Sequence, residues 1–183
     1  MWIVVAVVAI VVIAIVVWLL LNRRPARRLK QRFGSEYDRT VDRTGDRQRA
    51  HDELEHRLER HDQFRLRSLD AQERDAYVAN WRQLQRHFVK QPATGLLEAD
   101  DLLTRLLHDV GYPTDSFEQQ AADLSASHAD VVDDYRVARA VVRDTREGSA
   151  GTEEIRQALL HYRTVFARVA EADVTPSNDG ATS

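Results

Sequence analysis

Seven histidines stand among 29 carboxylate residues in this chain, a combination that suits metal-assisted hydrolysis. Glu53 and His56 form a Glu-x-x-His pair, the spacing that di-iron bundles repeat on two helices. The chain holds one such pair, in its most polar stretch, and a solvated charged surface is the better interpretation. His-Asp dipeptides at residues 51–52, 61–62 and 108–109 give no further convergent pattern.

A second set of candidate residues surrounds His128. Asp130, Asp133 and Asp134 follow it, but these acids fall largely on the polar side of a predicted helix, as on a solvent-facing surface. The apolar stripe of that helix consists of Val131, Tyr135, Ala138 and Val142. Ser127 beside His128 resembles a nucleophile with its base, yet we interpret Ser127 as the N-cap of this helix. We therefore predict no catalytic residue, no metal site and no cofactor.

Two further groups of residues could bind a ligand rather than react with one. Glu98, Asp100 and Asp101 form an acidic cluster, which we interpret as a solvated helix face. Four aromatic residues could line a groove for a partner helix, with burial in the core as the favoured alternative. These are Tyr112, Phe117, Tyr135 and Tyr162.

Residues 2–21 are twenty residues without a charge, a proline or a glycine. A helix of that length rises about 30 Å, the thickness of the hydrocarbon layer of a membrane. A helix also satisfies its own backbone hydrogen bonds in lipid, which an open strand cannot do. We therefore expect a single transmembrane helix at residues 1–22, and its lack of ionisable side chains favours a plain tether.

Six cations and no acid follow this helix within residues 23–32, and we name them the collar. The collar consists of Arg23, Arg24, Arg27, Arg28, Lys30 and Arg32. Cations beside a span stay on the cytoplasmic side, which places the N-terminus outside the inner (plasma) membrane and the rest of the chain in the cytoplasm. A cleaved signal peptide is the weaker alternative, because its basic region would precede a shorter apolar core. The collar should attract anionic lipid by about 1 kcal/mol per cation.

Composition excludes several other classes of function. The absence of cysteine rules out disulfides, thiolate metal sites and a catalytic thiol. Residues 33–183 contain 20 basic and 29 acidic residues, a net charge of −9. Nucleic acid is therefore not the expected partner, since neutralising its phosphates requires clustered cations.

The remaining chain divides by composition into four parts. They are a basic juxtamembrane segment at 23–45, a polar helical stalk at 46–66, a helical bundle at 67–172 and a disordered tail at 173–183. The stalk is a poor coiled coil, because its best heptad seam has two apolar residues in six positions. We interpret it as a solvated arm, with assembly into oligomers as an alternative.

Single apolar stripes at helical spacing recur through the bundle region, and no stretch alternates as a half-buried strand would. They cover residues 71–89, 92–110, 128–146 and 153–171, with a shorter stripe at 116–124. Stripes of this kind must be buried against one another, so the predicted fold class is all-α, a small helical bundle. Gly111 should end its helix in a Schellman motif, while Ser116 with Gln119, and Thr152, should cap the next helices.

Several short sequences carry a resemblance to a known family. They are Arg32-Phe33-Gly34-Ser35-Glu36-Tyr37-Asp38-Arg39-Thr40-Val41, Leu69-Asp70 with Trp81 and Phe88, Gly111-Tyr112-Pro113-Thr114-Asp115-Ser116-Phe117-Glu118-Gln119, Ala121-Ala122-Asp123-Leu124-Ser125, and His161-Tyr162-Arg163 with Phe166. This pattern, over about residues 31–166, resembles a bacterial family of single-pass membrane-anchored proteins with no assigned activity. The resemblance implies the architecture and no chemistry. Ser35 departs from it, since the relatives tend to have proline there.

These observations together predict a membrane-anchored cytoplasmic helical module that serves as an interaction or scaffold protein and not as an enzyme. The expected partners are the membrane, with anionic lipid at the collar, and another protein. The alternative hypothesis is a metal-assisted hydrolase that uses His and Asp residues of the helical domain.

Overall fold

The computed structural model describes residues 27–113 and 116–170, and every regular element within these ranges is an α-helix. The all-α class and the helical bundle are therefore confirmed for the described chain. No helix among these residues is both long enough and apolar enough to cross a membrane. The anchor predicted at residues 2–21, the collar residues Arg23 and Arg24, and the predicted tail lie outside the described residues.

The chain divides between Glu59 and Arg60 into two compact units. The helices of the first part are residues 27–33 (α1), Ser35–Thr44 (α2) and Arg47–His61 (α3), whose last two residues belong to the second unit. Gly45 ends α2 with a φ of 66°, and its backbone N–H donates to the Val41 carbonyl at 2.9 Å. Glycine suits this left-handed position because it has no Cβ to clash.

A polar cluster connects α2 and α3 within the first unit. Glu36 is 1% exposed and accepts from Arg57, whose Nη1 lies 2.7 Å from its carboxylate. Glu53 accepts from both Arg43 and Arg57. Tyr37 Oη lies 2.8 Å from His51 Nε2. These polar contacts join α2 and α3, two helices that contain few apolar residues.

The predicted stalk differs from a solvated arm in two respects. Ala50 and Leu54 of α3 are fully buried, although the helix is very polar. Helix α3 ends at His61, and the following residues Phe64 and Leu66 pack against the hydrophobic core of the second unit. A count of apolar residues along a heptad seam missed both features, because it does not show which of the few apolar side chains become packed.

The second unit contains five helices in its described part. They are α4 (Ala71–Lys90), α5 (Pro92–Val110), α6 (Phe117–Ser127), α7 (Val132–Arg146) and α8 (Thr152–Ala170). These bounds agree closely with the predicted stripes. Helix α5 lies at the centre and packs against α4, α7 and α8.

The predicted stripes form one hydrophobic core. The stripe residues that precede or belong to α7, Val131, Tyr135, Ala138 and Val142, are all buried. The stripes of α5 and α8 are buried throughout as well, and they consist of Leu96, Ala99, Leu103, Leu106 and Val110, and of Ile155, Leu159, Tyr162, Phe166 and Val169. On α4 the Trp81 ring stacks on Phe166 of α8 with 4.7 Å between centroids. Such ring pairs are worth about 0.5–1.5 kcal/mol beyond their area burial, so this stack contributes to the packing of α4 on α8.

Backbone caps confirm some sequence expectations and correct others. The Schellman motif at Gly111 is present, since Tyr112 N–H donates to the Leu107 carbonyl at 2.9 Å. Ser116 caps α6 by accepting from the Gln119 backbone, also as predicted. The assignment of Thr152 as an N-cap is wrong, because Thr152 is the first residue of α8.

A capping box at the start of α4 was not recognised from the sequence. The Asp70 carboxylate accepts from the Glu73 backbone N–H, and the Glu73 carboxylate accepts from the Asp70 backbone N–H. Arg67 also pairs with Glu73, and these contacts lower the pKa of Glu73 to about 2. The pattern Asp-x-x-Glu before an aromatic stripe is the signal that could have found it.

Candidate functional site

The collar residues within the described chain point outward. Arg27, Arg28, Lys30 and Arg32 are exposed, whereas Leu29 between them is buried. The Lys30 ammonium lies 2.9 Å from the Asp38 carboxylate and 5.8 Å from the centre of the Tyr37 ring. The described collar residues therefore lie on the surface of α1, where Lys30 is paired with Asp38.

The aromatic residues predicted to line a groove lie in the core instead. Tyr112, Tyr135 and Tyr162 are 3%, 1% and 0% exposed. Phe117 is partly buried, and its ring lies 5.3 Å from that of Tyr135. Burial of these rings, the alternative favoured by the sequence, is what the structure shows, and we do not propose a binding groove there.

Asp100 organises the largest polar cluster inside the bundle. Its carboxylate is 2% exposed and accepts from Arg139 and Arg146 of α7, the latter at 2.9 Å, and from the Tyr162 hydroxyl of α8 at 2.7 Å. The interpretation of Asp100 as part of a solvated acidic face is therefore wrong, although its neighbour Asp101 is exposed.

The surroundings of Asp100 shift the pKa values of two of its partners, Tyr162 and Arg139. Burial, together with the negative charge of Asp100, raises the pKa of the Tyr162 hydroxyl far above its usual value. Burial lowers the pKa of Arg139, but attraction to Asp100 outweighs it and the pKa of Arg139 is raised. The cluster thus sets two guanidinium groups and one tyrosine hydroxyl around a single carboxylate, and it joins three helices.

A second cluster brings Tyr112, Ser127 and His128 together. Tyr112 Oη lies 2.6 Å from Ser127 Oγ and 3.2 Å from His128 Nδ1, and these two side chains are 2.9 Å apart. The assignment of Ser127 as an N-cap is wrong, because Ser127 is the last residue of α6 and α7 starts at Val132. Chemically, this is an exposed hydroxyl beside an imidazole.

The three side chains of this cluster fall short of a nucleophilic centre. A nucleophile requires a base that is itself oriented by a third group, and a donor pair for the developing oxyanion. In the described structure His128 Nδ1 bonds both hydroxyls, while no hydrogen bond of its Nε2 orients the ring. The contacts are best explained as hydrogen bonds that hold the C-terminus of α6 against Tyr112.

Burial of His128 has a measurable consequence for stability. Burial lowers its pKa, helped by Arg168 and His61 and opposed by Asp130. Between the unfolded value of about 6.5 and the lower folded pKa, the unfolded chain binds the proton preferentially, so the free energy of unfolding falls as pH falls through this window.

We expect His128→Gln to lose this part of the pH dependence. Urea midpoints of wild type and variant, measured from about pH 7.5 to about pH 5, should fall less steeply for His128→Gln. His108→Gln is the matched control, since the His108 side chain is 71% exposed. Equal slopes for wild type and His128→Gln would show that His128 does not titrate differently on folding.

The histidines and acids considered for metal binding lie apart. Among the described residues no group of three or more His, Asp or Glu side chains could hold a metal ion. The His56 side chain is 74% exposed and lies beside Glu59. Asp134 of α7 pairs with His161 of α8.

Chelation therefore has a definite expected outcome. The detergent-purified chain should carry no stoichiometric metal, and EDTA should leave its melting temperature unchanged. A chelator lowers the melting temperature only of a protein that binds a stabilising metal, because removing that metal removes folding free energy. A melting temperature lowered by EDTA and restored by Zn²⁺ or Mn²⁺ would instead support the metal-assisted hydrolase.

A concave surface with polar walls lies between α4 and α5 in the second unit. This α4/α5 groove has a volume of about 260 Å³ and a floor made by Leu84 and Leu102. Its walls consist of Asn80, Gln83, His87, Glu98 and Arg105. The groove is smaller than the roughly 300–1,000 Å³ pockets that enclose drug-sized ligands, and it is open to solvent.

Comparison of the chain with protein-family models, curated proteins and solved structures gives no match. Its function must therefore be inferred from its own residues.

Sequence reasoning missed Asp100, for which a signal exists. Leu96, Asp100, Leu103 and Leu107 follow 4-3-4 spacing, which places the acid inside an apolar stripe. On α7, Arg139 and Arg146 are two turns apart and so share a face. An acid within one stripe and two such arginines beside another indicate a buried ion pair. The α4/α5 groove left no comparable signal, because its walls come from the polar flanks of two helices.

Proposed function

We propose that this protein is anchored by one helix in the plasma (inner) membrane and binds another protein on the cytoplasmic side, without catalytic activity of its own. The exposed collar is the observation that carries the proposal. Charged side chains that point outward directly after twenty apolar residues suit a chain that leaves the membrane among anionic headgroups. Relationship to the bacterial family of membrane-anchored proteins that residues 31–166 resemble is part of the same proposal.

The chemistry of the collar supports its contact with lipid. Arg27 and Arg28 are exposed, and near an anionic leaflet each cation contributes about 1 kcal/mol. Lys30 already pairs with Asp38, so it has less to gain. Anionic lipid is thus the partner proposed for the collar.

Support for a binding role comes from how the second unit uses its charged groups. Asp100 and Asp123 are buried and each pairs with arginine, Asp123 with Arg60, which stabilises the packing of helices. Asn80, Gln83 and Arg105, which are exposed and make no ion pair or side-chain hydrogen bond with a described residue, line the α4/α5 groove instead. A rigid bundle with an open polar surface suits recognition of a partner, since little conformational entropy is lost on binding.

Photo-crosslinking in intact membranes tests the binding role directly. A photoreactive amino acid is placed singly at exposed positions of α4, α7 and α8, such as Arg86, Val137 and Leu160. We expect a discrete protein adduct from positions on one face and none from the others. Adducts with lipid alone, or equal labelling of all positions, would contradict a specific protein partner.

A further inference from the structure

The α4/α5 groove ends where α4 and α5 approach each other closely, and we call this its closed end. A Cβ atom added to Gly95 on α5 would lie 2.8 Å from the Phe88 Cα on α4, so the two helices approach as closely as their backbones allow. His87 and Glu98 then bridge the walls, with 3.4 Å between Nδ1 and the carboxylate. The Trp81–Phe166 stack adds a further contact of α4, with α8.

The polar side chains further along the groove have no structural task. Asn80 and Gln83 are exposed and make no hydrogen bond with any residue that the structure describes. Each amide offers both donors and acceptors. Leu84 and Leu102 beneath them are only 4% and 2% exposed, so an apolar partner surface would gain little from the floor.

Arg105 supplies a charge at the open end of the groove. Its guanidinium forms no ion pair within the described chain, not even with Asp101 or Asp109, one turn away on either side of it on α5. Asp109 is instead bound by the Tyr77 hydroxyl at 2.7 Å and by His108. Glu98 lies two turns of α5 from Arg105, about 10 Å along the axis.

We propose that the α4/α5 groove binds an extended peptide segment of the partner protein, whose acidic side chain pairs with Arg105. The inference rests on the binding function proposed above and assigns its surface. An extended segment leaves backbone N–H and C=O groups unpaired, and these match the amides of Asn80 and Gln83. A helix satisfies those groups internally and needs a wider apolar floor than Leu84 and Leu102 present.

The length of the groove sets the size of the segment. An extended chain advances about 3.3 Å per residue, so the distance from Arg105 to Glu98 accommodates about three residues. The acidic side chain of the segment lies at Arg105, whose guanidinium can donate two hydrogen bonds to one carboxylate. Its chain then runs past the two amides toward the closed end.

The experiment selects random linear peptides, displayed on phage, against the full-length chain in nanodiscs. Selected peptides should be enriched in Asp or Glu, and they should bind Arg105→Gln about 10- to 100-fold more weakly than wild type, as loss of a charge-assisted pair predicts. Asn80→Ala with Gln83→Ala should weaken binding independently of charge. Arg163→Gln, an exposed arginine on α8, is the matched control and should bind as wild type does.

Several outcomes would overturn the assignment. These are selected peptides without an acidic preference, binding that Arg105→Gln leaves unchanged, and a complete failure to select peptides. Peptide binding that appears only after residues 171–183 are deleted would show that the chain's own tail occupies the groove. If the photo-crosslinked adduct with the partner forms equally well in Arg105→Gln, the proposed function stands and this surface is refuted.

Discussion

Replacing Asp100 by Asn is expected to lower the free energy of unfolding by about 2–4 kcal/mol, because it removes one partner of a buried ion pair. Arg139 and Arg146 would then face each other without the carboxylate that both donate to. The asparagine amide keeps an oxygen that accepts from the Tyr162 hydroxyl, so the loss of stability measures the removed charge and not a change in side-chain shape.

Asp101→Asn provides the matched control for this variant. Asp101 is the next residue of α5 and is exposed, so its replacement should change stability by less than about 0.5 kcal/mol. Both variants are compared with wild type in urea melts followed by far-ultraviolet circular dichroism. A loss below about 1 kcal/mol for Asp100→Asn would mean that the cluster contributes no net electrostatic stability.

Gly111→Ala should cost about 3 kcal/mol or more, the second large effect, from strain combined with a steric clash. Gly111 has a φ of 106°, a conformation that residues with a side chain rarely adopt. A Cβ at this position would lie 2.6 Å from the carbonyl oxygen of Arg65. The segment after α3 must then move away, although Arg67 N–H donates to the Val110 carbonyl at 2.9 Å.

Gly148→Ala separates the strain from the clash. Gly148 has a φ of 73°, but nothing lies within 4 Å of an added Cβ. This variant should therefore lose only about 1–2 kcal/mol, the cost of a left-handed residue. Equal losses in urea melts of Gly111→Ala and Gly148→Ala would show that the segment at Arg65 yields without cost.

The bundle could be predicted from the sequence because its signals are local. Stripes such as Ile155, Leu159 and Tyr162 repeat within one helix, and Gly111 and Ser116 act on neighbouring backbone groups. Local periodicity therefore gave the helices and most of the core.

The polar contacts could not be predicted in the same way, because their partners are far apart in the chain. Asp100 meets Tyr162 across 62 residues, and Asp123 meets Arg60 across 63. A stripe analysis counts only apolar residues and therefore assigns such acids to the surface. Ser127 was misplaced for a related reason, since a serine that could cap one helix also suits the end of another.

The α4/α5 groove is a property of the packed pair of helices. Asn80 and Gln83 are ordinary polar residues in the sequence, and the packing of α4 on α5 brings them into one groove with Arg105.

Protease accessibility in intact cells tests membrane anchoring and orientation together. A tag is fused behind Ser183, and protease is added outside cells that are whole or permeabilised. We predict that the chain sediments with the membrane, that it retains the residues before Leu21, and that the tag is digested only after permeabilisation. Digestion of the tag in whole cells, or a mature chain that begins after Leu21, would contradict a cytoplasmic module anchored by residues 2–21.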